Sequence, residues 1–120
     1  MNSPTNSDSV IINIRNSANG NSHGLHRSID GGNTWNLSNF NPTNVGYGGL
    51  GSSFHIYQVK YHPRVPNLIF IGTSKGIYRS TDNLATWSQL LTSGDIDRIE
   101  FHPSNDSIIY LYDSYYWGAN

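Results

Sequence analysis

The sequence predicts an all-β protein built from repeated, four-stranded antiparallel units. Residues 24–35 recur as residues 76–87, at a constant offset of 52 with no gap. Residues 59–71 recur as residues 99–111, at an offset of 40. Between and within these segments, short apolar or alternating runs are separated by Gly, Asn, Ser and Pro clusters, and helical periodicity is absent. Recurrence at this spacing is typical of an array of similar supersecondary units.

The two offsets differ by 12 residues, so an insertion must lie between the first unit and the second. We expect residues 1–9 to form a polar N-terminal tail and residues 41–54 to form the inserted loop. Residues 10–40 then supply strands B, C and D of a partial unit. Residues 55–91 supply a complete unit, and residues 92–120 supply strands A and B of a second partial unit.

Within the complete unit, strand A is expected at residues 55–61, strand B at 68–73 and strand C at 76–80, and strand D begins at residue 86. The B strands are apolar at successive positions, so both of their faces must be covered. In a four-stranded antiparallel unit this favours sheets stacked face to face around an axis, as in a β-propeller.

The number of units predicts an incomplete propeller. About two and a quarter units cannot close a ring, because propellers need roughly four to eight blades. The strands at either end of the array also lack partners, and such open sheet edges favour pairing with another strand. We therefore expect a fragment of a larger propeller or a protomer of an assembly. The expected partners are further propeller blades in cis or copies of this chain in trans.

The repeated segment resembles the Asp-box, or BNR repeat, of sialidase-like, xyloglucanase-like and sortilin-like β-propellers. Residues 28–35 match its Ser-x-Asp-x-Gly-x-Thr-Trp pattern in full, and residues 80–87 depart only at Leu84, where Gly is expected. With the second repeat, the resemblance covers residues 10–112. It implies a propeller but no single activity, because enzymes, receptors and assembly factors share the repeat. The structural Asp-box positions are Ser28, Asp30, Gly32, Thr34, Trp35, Ser80, Asp82, Thr86 and Trp87.

Each Asp-box residue also has a physical interpretation. Asp30 and its counterpart in the second box lie where the chain reverses, so their carboxylates can accept hydrogen bonds from the N–H groups of the turn. Gly32 supplies a positive φ. Leu84 would lose about 1 kcal/mol in the same geometry, so we expect the second turn to be reshaped or strained. Trp35 and Trp87 are expected to lock each hairpin against its neighbour.

The predicted topology places the loops on two faces. The A–B and C–D turns share one face, which repetition marks as structural, and the B–C and D–A connections share the other. Function is more common on such a variable face. Its aromatic residues suit sugar stacking or a protein contact, although they could equally pin the loops to the sheet below. The candidate ligand-binding residues are Tyr47, Tyr115, Tyr116 and Trp117.

Two carboxylates provide the alternative of an enzyme. Asp95 and Asp97, two residues apart on an extended chain, would lie about 6–7 Å from one another. An inverting glycosidase uses a similar separation, and Asp113 could support the pair. The competing interpretation is that both are solvated turn residues. Arg27 and Arg79 are equivalent repeat positions, which leaves no arginine cluster for a sialidase-type carboxylate clamp.

Composition limits the remaining function classes. The formal net charge is −1 and charged residues make up 12% of the chain, so there is no basic field for nucleic acid or an anionic membrane. Cysteine is absent, and the histidines show no metal-ligand spacing, so no metal or cofactor is expected. Solubility depends on Asn, Ser, Thr and Gly, a style common in secreted and cell-surface β proteins, and we expect that location.

Together these features favour a non-catalytic binding or scaffold module that recognises glycan or protein through the variable-face loops. The alternatives are a fragment of a glycoside hydrolase-like propeller enzyme and a purely structural assembly protein.

Overall fold

A computed structural model describes residues 8–16, 22–40, 55–92 and 94–113. These residues form antiparallel sheets of three, four and two strands, and no helix occurs among them. The predicted all-β class is therefore confirmed for the described part of the chain.

The strands pair in chain order within each sheet, without crossovers. The strands of the first sheet are β1 (Val10–Asn16), β2 (Ser22–Ser28) and β3 (Asn36–Leu37). The strands of the second sheet are β4 (Ile56–Tyr61), β5 (Ile69–Thr73), β6 (Gly76–Ser80) and β7 (Ser88–Leu91). The strands of the third sheet are β8 (Ile96–Phe101) and β9 (Ile109–Asp113).

Two apolar cores join the three sheets face to face. The first core lies between the first and second sheets and consists of Ile11, Leu25, Phe40, Ile56, Tyr61, Ile69, Ile71, Tyr78 and Leu84. The second core lies between the second and third sheets and consists of Phe70, Ile77, Ile96 and Ile99.

Strand β5 contributes to both cores in alternation. Ile69 and Ile71 enter the first core, whereas Phe70 between them enters the second. Side chains alternate across a strand, so this division buries both faces of β5, and all five of its residues are buried. The apolar character of the strand on both faces thus follows from a neighbouring sheet on each side.

Side chains of one sheet also satisfy backbone groups on the edge strand of the next. Asn13 donates from Nδ2 to the carbonyl of Ile56 at 2.9 Å. Gln58 Oε1 accepts the N–H of Ile99 at 2.6 Å, and Lys60 Nζ donates to the carbonyl of the same residue at 3.0 Å. Strands β4 and β8 are therefore partly capped along the edges that no strand of the described residues pairs.

The β4–β5 and β8–β9 turns are each held by hydrogen bonds to a histidine ring nitrogen. His62 Nδ1 accepts the backbone N–H groups of Arg64 and Val65 at 3.1 and 3.2 Å. His102 Nδ1 accepts the N–H groups two and three residues further on, at 3.1 and 3.0 Å. Because Nδ1 accepts in both turns, the neutral imidazole with its proton on Nε2 fits this geometry.

Arg64 links these two turns across the sheets. Its guanidinium donates to the Asp106 carboxylate and to the carbonyls of His102 and Pro103, the latter two at 2.7 and 3.0 Å. One planar donor group thereby ties the second sheet to three acceptors of the third.

Gly72 in β5 gives a direct test of the stacking. A Cβ at this position would lie 2.2 Å from the carbonyl oxygen of Ile96, a backbone atom that cannot rotate away. We expect Gly72→Ala to lower the free energy of unfolding by about 3 kcal/mol, at the upper end for overpacked sites. Urea denaturation followed by circular dichroism measures it.

The matched control is Gly31→Ala, whose Cβ would meet its nearest atom at 3.6 Å but whose φ is 72°. Only the cost of a left-handed residue, about 1 kcal/mol, is expected there. Equal losses in the two variants would show that the second and third sheets are not in close contact at Gly72.

Candidate functional site

The turn between β2 and β3, the first aspartate turn, is held by two side chains. Ser28 Oγ accepts the N–H of Gly32 at 2.8 Å and donates to Asp30 Oδ1 at 2.7 Å. The Asp30 carboxylate also accepts the backbone N–H of Thr34 at 2.9 Å and its hydroxyl at 2.5 Å. The carboxylate is thus engaged within its own turn.

The turn between β6 and β7, the second aspartate turn, repeats the same bonds. Ser80 Oγ accepts the N–H of Leu84 at 2.8 Å and donates to Asp82 Oδ1 at 2.9 Å. Asp82 accepts the backbone N–H of Thr86 at 2.8 Å, and its other oxygen accepts the threonine hydroxyl. The hydrogen-bond pattern is therefore independent of the glycine that the second turn lacks.

Leu84 takes the left-handed conformation, in agreement with the strain predicted for the second turn. Its φ is 73°, against 98° for Gly32 at the equivalent position. The cost is about 1–2 kcal/mol for a non-glycine residue. However, Leu84 is only 2% exposed and belongs to the first core. Burial of a leucine side chain contributes about 1.5–3 kcal/mol, which offsets the strain.

The two tryptophans have different environments. Trp35 Nε1 donates to the carbonyl of Gly32 at 2.9 Å, but the side chain is 38% exposed. Trp87 is half-buried and packs edge-on against Phe40, with ring centroids 5.4 Å apart. Phe40 also meets Tyr78 at 5.2 Å and is completely buried. The role of Phe40 was not predicted, because a lone aromatic among Asn, Ser and Pro residues carries no periodic signal.

The electrostatics of the aspartate turns favour the charged carboxylates. Hydrogen bonds from the Thr34 hydroxyl and backbone, with that of Ser28, lower the pKa of Asp30 to about 2 from its ordinary value of 3.8. The Thr86 hydroxyl and backbone lower the pKa of Asp82 likewise. A general acid needs a pKa near the working pH, so the lowered pKa of both carboxylates fits a structural role in the turns.

An open groove lies at the opposite edge of the second sheet. It encloses about 320 Å³. Its lining comes from the start of β4, the β5–β6 turn and the segment before β8, and consists of His55, Tyr57, Ser74, Lys75 and Asp95. The groove therefore lies on the connections that the repeat leaves variable, and it includes one of the two carboxylates of the enzyme hypothesis.

Local geometry holds this groove open at Tyr57. The β4–β5 register shifts between Ile56 and Gln58, which places Tyr57 in an irregularity of the strand, 44% exposed. His55 and Ser74 fix the floor by two bonds, His55 N–H to the serine Oγ at 3.0 Å and serine N–H to the His55 carbonyl at 2.9 Å. The imidazole lies 6.3 Å from the tyrosine ring.

The two predicted carboxylates both act on this tyrosine. Partial burial raises the pKa of Tyr57, and the negative charges of Asp95 and Asp97 raise it further. Asp95 N–H also donates to Asp113 Oδ1 at 3.3 Å. The structure thus brings the three acidic residues of the enzyme hypothesis to one region beside the groove.

The predicted aromatic ligand residues, Tyr47, Tyr115, Tyr116 and Trp117, lie outside the described residues. Across residues 8–16, 22–40, 55–92 and 94–113, no three acidic, His or Cys side chains gather as a metal site would require. The same residues include no helix long and apolar enough to cross a membrane.

No protein-family model matches this chain. No curated protein matches it at a significant level either.

The aspartate turns predict a specific response to acid. The folded pKa of Asp30 is depressed, so its contribution to stability is fully present above pH 3.8 and is lost as the pH falls toward 2. We expect the thermal midpoint of the wild type to fall across this window. Asp30→Asn should show a lower midpoint at neutral pH and a shallower fall below pH 4.

Differential scanning fluorimetry from pH 2 to 7 provides the measurement, with exposed Asp97→Asn as the control that keeps the wild-type slope. A wild-type slope in Asp30→Asn would mean that the carboxylate does not stabilise the turn.

Proposed function

We propose that this chain is a non-catalytic binding or scaffold module built of Asp-box propeller blades. In this proposal the groove and neighbouring loops of the variable edge recognise a glycan or a protein. A secreted or cell-surface setting belongs to the same proposal, and the support for it is the Asn-, Ser- and Gly-rich composition with few charges.

The side-chain chemistry of the groove at the variable edge of the second sheet carries the proposal, since a second groove, of about 300 Å³, lies beside the structural aspartate turns. At one edge, Asp82 and its serine and threonine partners are bonded to one another and have a structural role. At the other edge, an open groove displays the ring of Tyr57 beside Lys75 and Asp95. The position of the groove on non-repeated connections is what a ligand site on a repeated scaffold needs.

The groove chemistry suits a neutral sugar ring. A half-exposed tyrosine gives an apolar ring face for stacking. Ser74, Lys75 and Asp95 bring hydroxyl, ammonium and carboxylate groups to the same groove, which matches the donor and acceptor pattern of sugar hydroxyls.

Glycan-array screening followed by titration calorimetry tests this function. We expect Tyr57→Ala to weaken binding about fivefold, because an aromatic contact contributes about 1 kcal/mol. Tyr47→Ala and Trp117→Ala should also weaken it if the aromatic loops join the site. Tyr112→Ala, a tyrosine of similar exposure on the third sheet, should bind as the wild type does.

Binding that is insensitive to Tyr57→Ala would exclude the groove as the site. Absence of binding to any glycan or protein probe would favour the purely structural alternative.

A glycoside hydrolase function has one observation in its favour: Asp95 lines the groove, and its N–H donates to Asp113 Oδ1 at 3.3 Å, which brings two of the acidic residues together. Under this alternative, Asp95→Asn abolishes hydrolysis of a β-glucan, while Glu100→Gln, a carboxylate elsewhere on β8, retains it. Reducing-sugar release measures both variants. Wild-type protein that releases no sugar from such a substrate would remove the alternative.

A further inference from the structure

We propose that copies of this chain stack head to tail, with the third sheet of one copy covering the first sheet of the next. The inference deepens the scaffold role proposed above and rests on it. The front face of a sheet is the side toward the next sheet along the chain, and the back face is the side toward the preceding sheet.

The second sheet shows both faces in their filled state. Its back face carries Ile71 and Tyr78, which are 0% and 3% exposed beneath the first sheet. Its front face carries Phe70, which is 5% exposed beneath the third sheet and lies 5.7 Å from the ring of Phe101. These contacts define what each face looks like when another sheet covers it.

The front face of the third sheet repeats the buried front face but lies open. Tyr110 pairs with Glu100 across β8 and β9 as Phe70 pairs with Lys60 across β4 and β5. Tyr110 therefore occupies the place of Phe70, yet it is 47% exposed, and Tyr112 beside it is 49% exposed. Tyr110, half-exposed at a position equivalent to a filled interface, indicates a surface suited to another sheet.

Tyr112 takes the place of Gly72, so the covering sheet must lie farther away than the third sheet lies from Gly72. Asn13 holds the same place in the first sheet and donates to the carbonyl of Ile56, so a filled interface can accommodate a side chain at this position.

The polar groups of that face are equivalent to bonding groups of the filled interface. Gln58 and Lys60 on the second sheet bind the backbone of Ile99 on the third. Their counterparts, 40 residues later, are Arg98 and Glu100, which are exposed by 62% and 39% and pair with each other at 3.1 Å. The open face therefore has long polar side chains where the filled face uses such side chains to cap a neighbouring strand.

The back face of the first sheet provides the second surface of the proposed contact. Ile12, His26 and Leu37 lie side by side across β1, β2 and β3. By register with the second sheet, Ile12 and His26 take the places of Ile71 and Tyr78. Ile12 is nevertheless 37% exposed and Leu37 is 55% exposed, so this apolar row is also open.

A second copy is the occupant that fits both surfaces. Among the described residues, one front face and one back face lie open, and the two filled interfaces show that faces of these types pack against each other. The contact joins different surfaces of two identical chains, so it is heterologous and leaves one face free at each end of the stack. Such a contact propagates until the stack closes into a ring or extends as a filament.

Native mass spectrometry on the full chain tests the stacking. We expect the wild type to form multiples of its 13.4 kDa mass that grow with concentration. Tyr110→Lys on the front face and Ile12→Lys on the back face should each give monomers. An equimolar mixture of the two variants should give dimers and nothing larger, because each variant retains the face that the other has lost.

Leu91→Lys is the matched control, since Leu91 is 47% exposed on β7 of the second sheet and lies on neither open face. It should assemble as the wild type does. Circular dichroism confirms that each variant folds, and Tyr110→Ser and Leu37→Lys replace any variant that does not.

A monomeric wild type at about 100 µM, or a mixture that fails to form dimers, would overturn the proposal. So would a monomer in which hydroxyl-radical footprinting finds Tyr110 protected, because another segment of the same polypeptide would then cover the face. Ligand titration of the monomeric variants separates this result from the proposed function: binding that persists in them supports the module and leaves only the stacking at issue.

Discussion

The central constraint on this structure is that strand β5 is apolar on both faces and must be covered on both. Ile69 and Ile71 face the first core, and Phe70 faces the second. Three sheets are the smallest stack that satisfies this strand. The close approach at Gly72 follows from the same requirement, because a sheet that covers β5 tightly brings the Ile96 carbonyl within reach of its backbone.

Stacking covers the faces of the strands, whereas the turns connect their ends. The turns at the two edges of the sheets differ in how they are stabilised. On one edge, short polar side chains bond to the backbone of their own turn. Each turn is also tied to another segment by a backbone bond, from Gly31 N–H to the Asp8 carbonyl and from Asn83 N–H to the Asn67 carbonyl. The same hydrogen-bond pattern of Ser80 and Asp82 forms around Leu84, although leucine rarely adopts a φ of 73°. The opposite edge has no such repeated network among the described residues. Grooves of similar volume occur at both edges, and the one at the opposite edge contains Tyr57, Lys75 and Asp95.

The repeats in the sequence predicted the strands that recur. They did not predict the contacts that occur only once. Strand C was placed at residues 76–80, as observed, because the repeat anchors both of its ends. The contact of Arg64 with Asp106 could not be anticipated, since the repeat equivalent of Arg64 is Ser104 and no pattern links the two turns. Phe40 was missed for the same reason. The groove at Tyr57 depends on a register shift, and a one-residue irregularity leaves no trace in composition or periodicity.

The differences between equivalent positions of the repeats bear on how permanent the proposed contacts between stacked copies would be. Phe70, at a buried face, becomes Tyr110 at an open one, and Tyr78 becomes His26. Each exchange keeps a ring of similar shape and makes the open position more polar. Interfaces that form between separately soluble partners have this character, with aromatic side chains retained and polar groups at the rim, whereas a permanent core excludes water more completely. The outer faces therefore have the composition of surfaces that tolerate water in the monomer, as the proposed stacking requires.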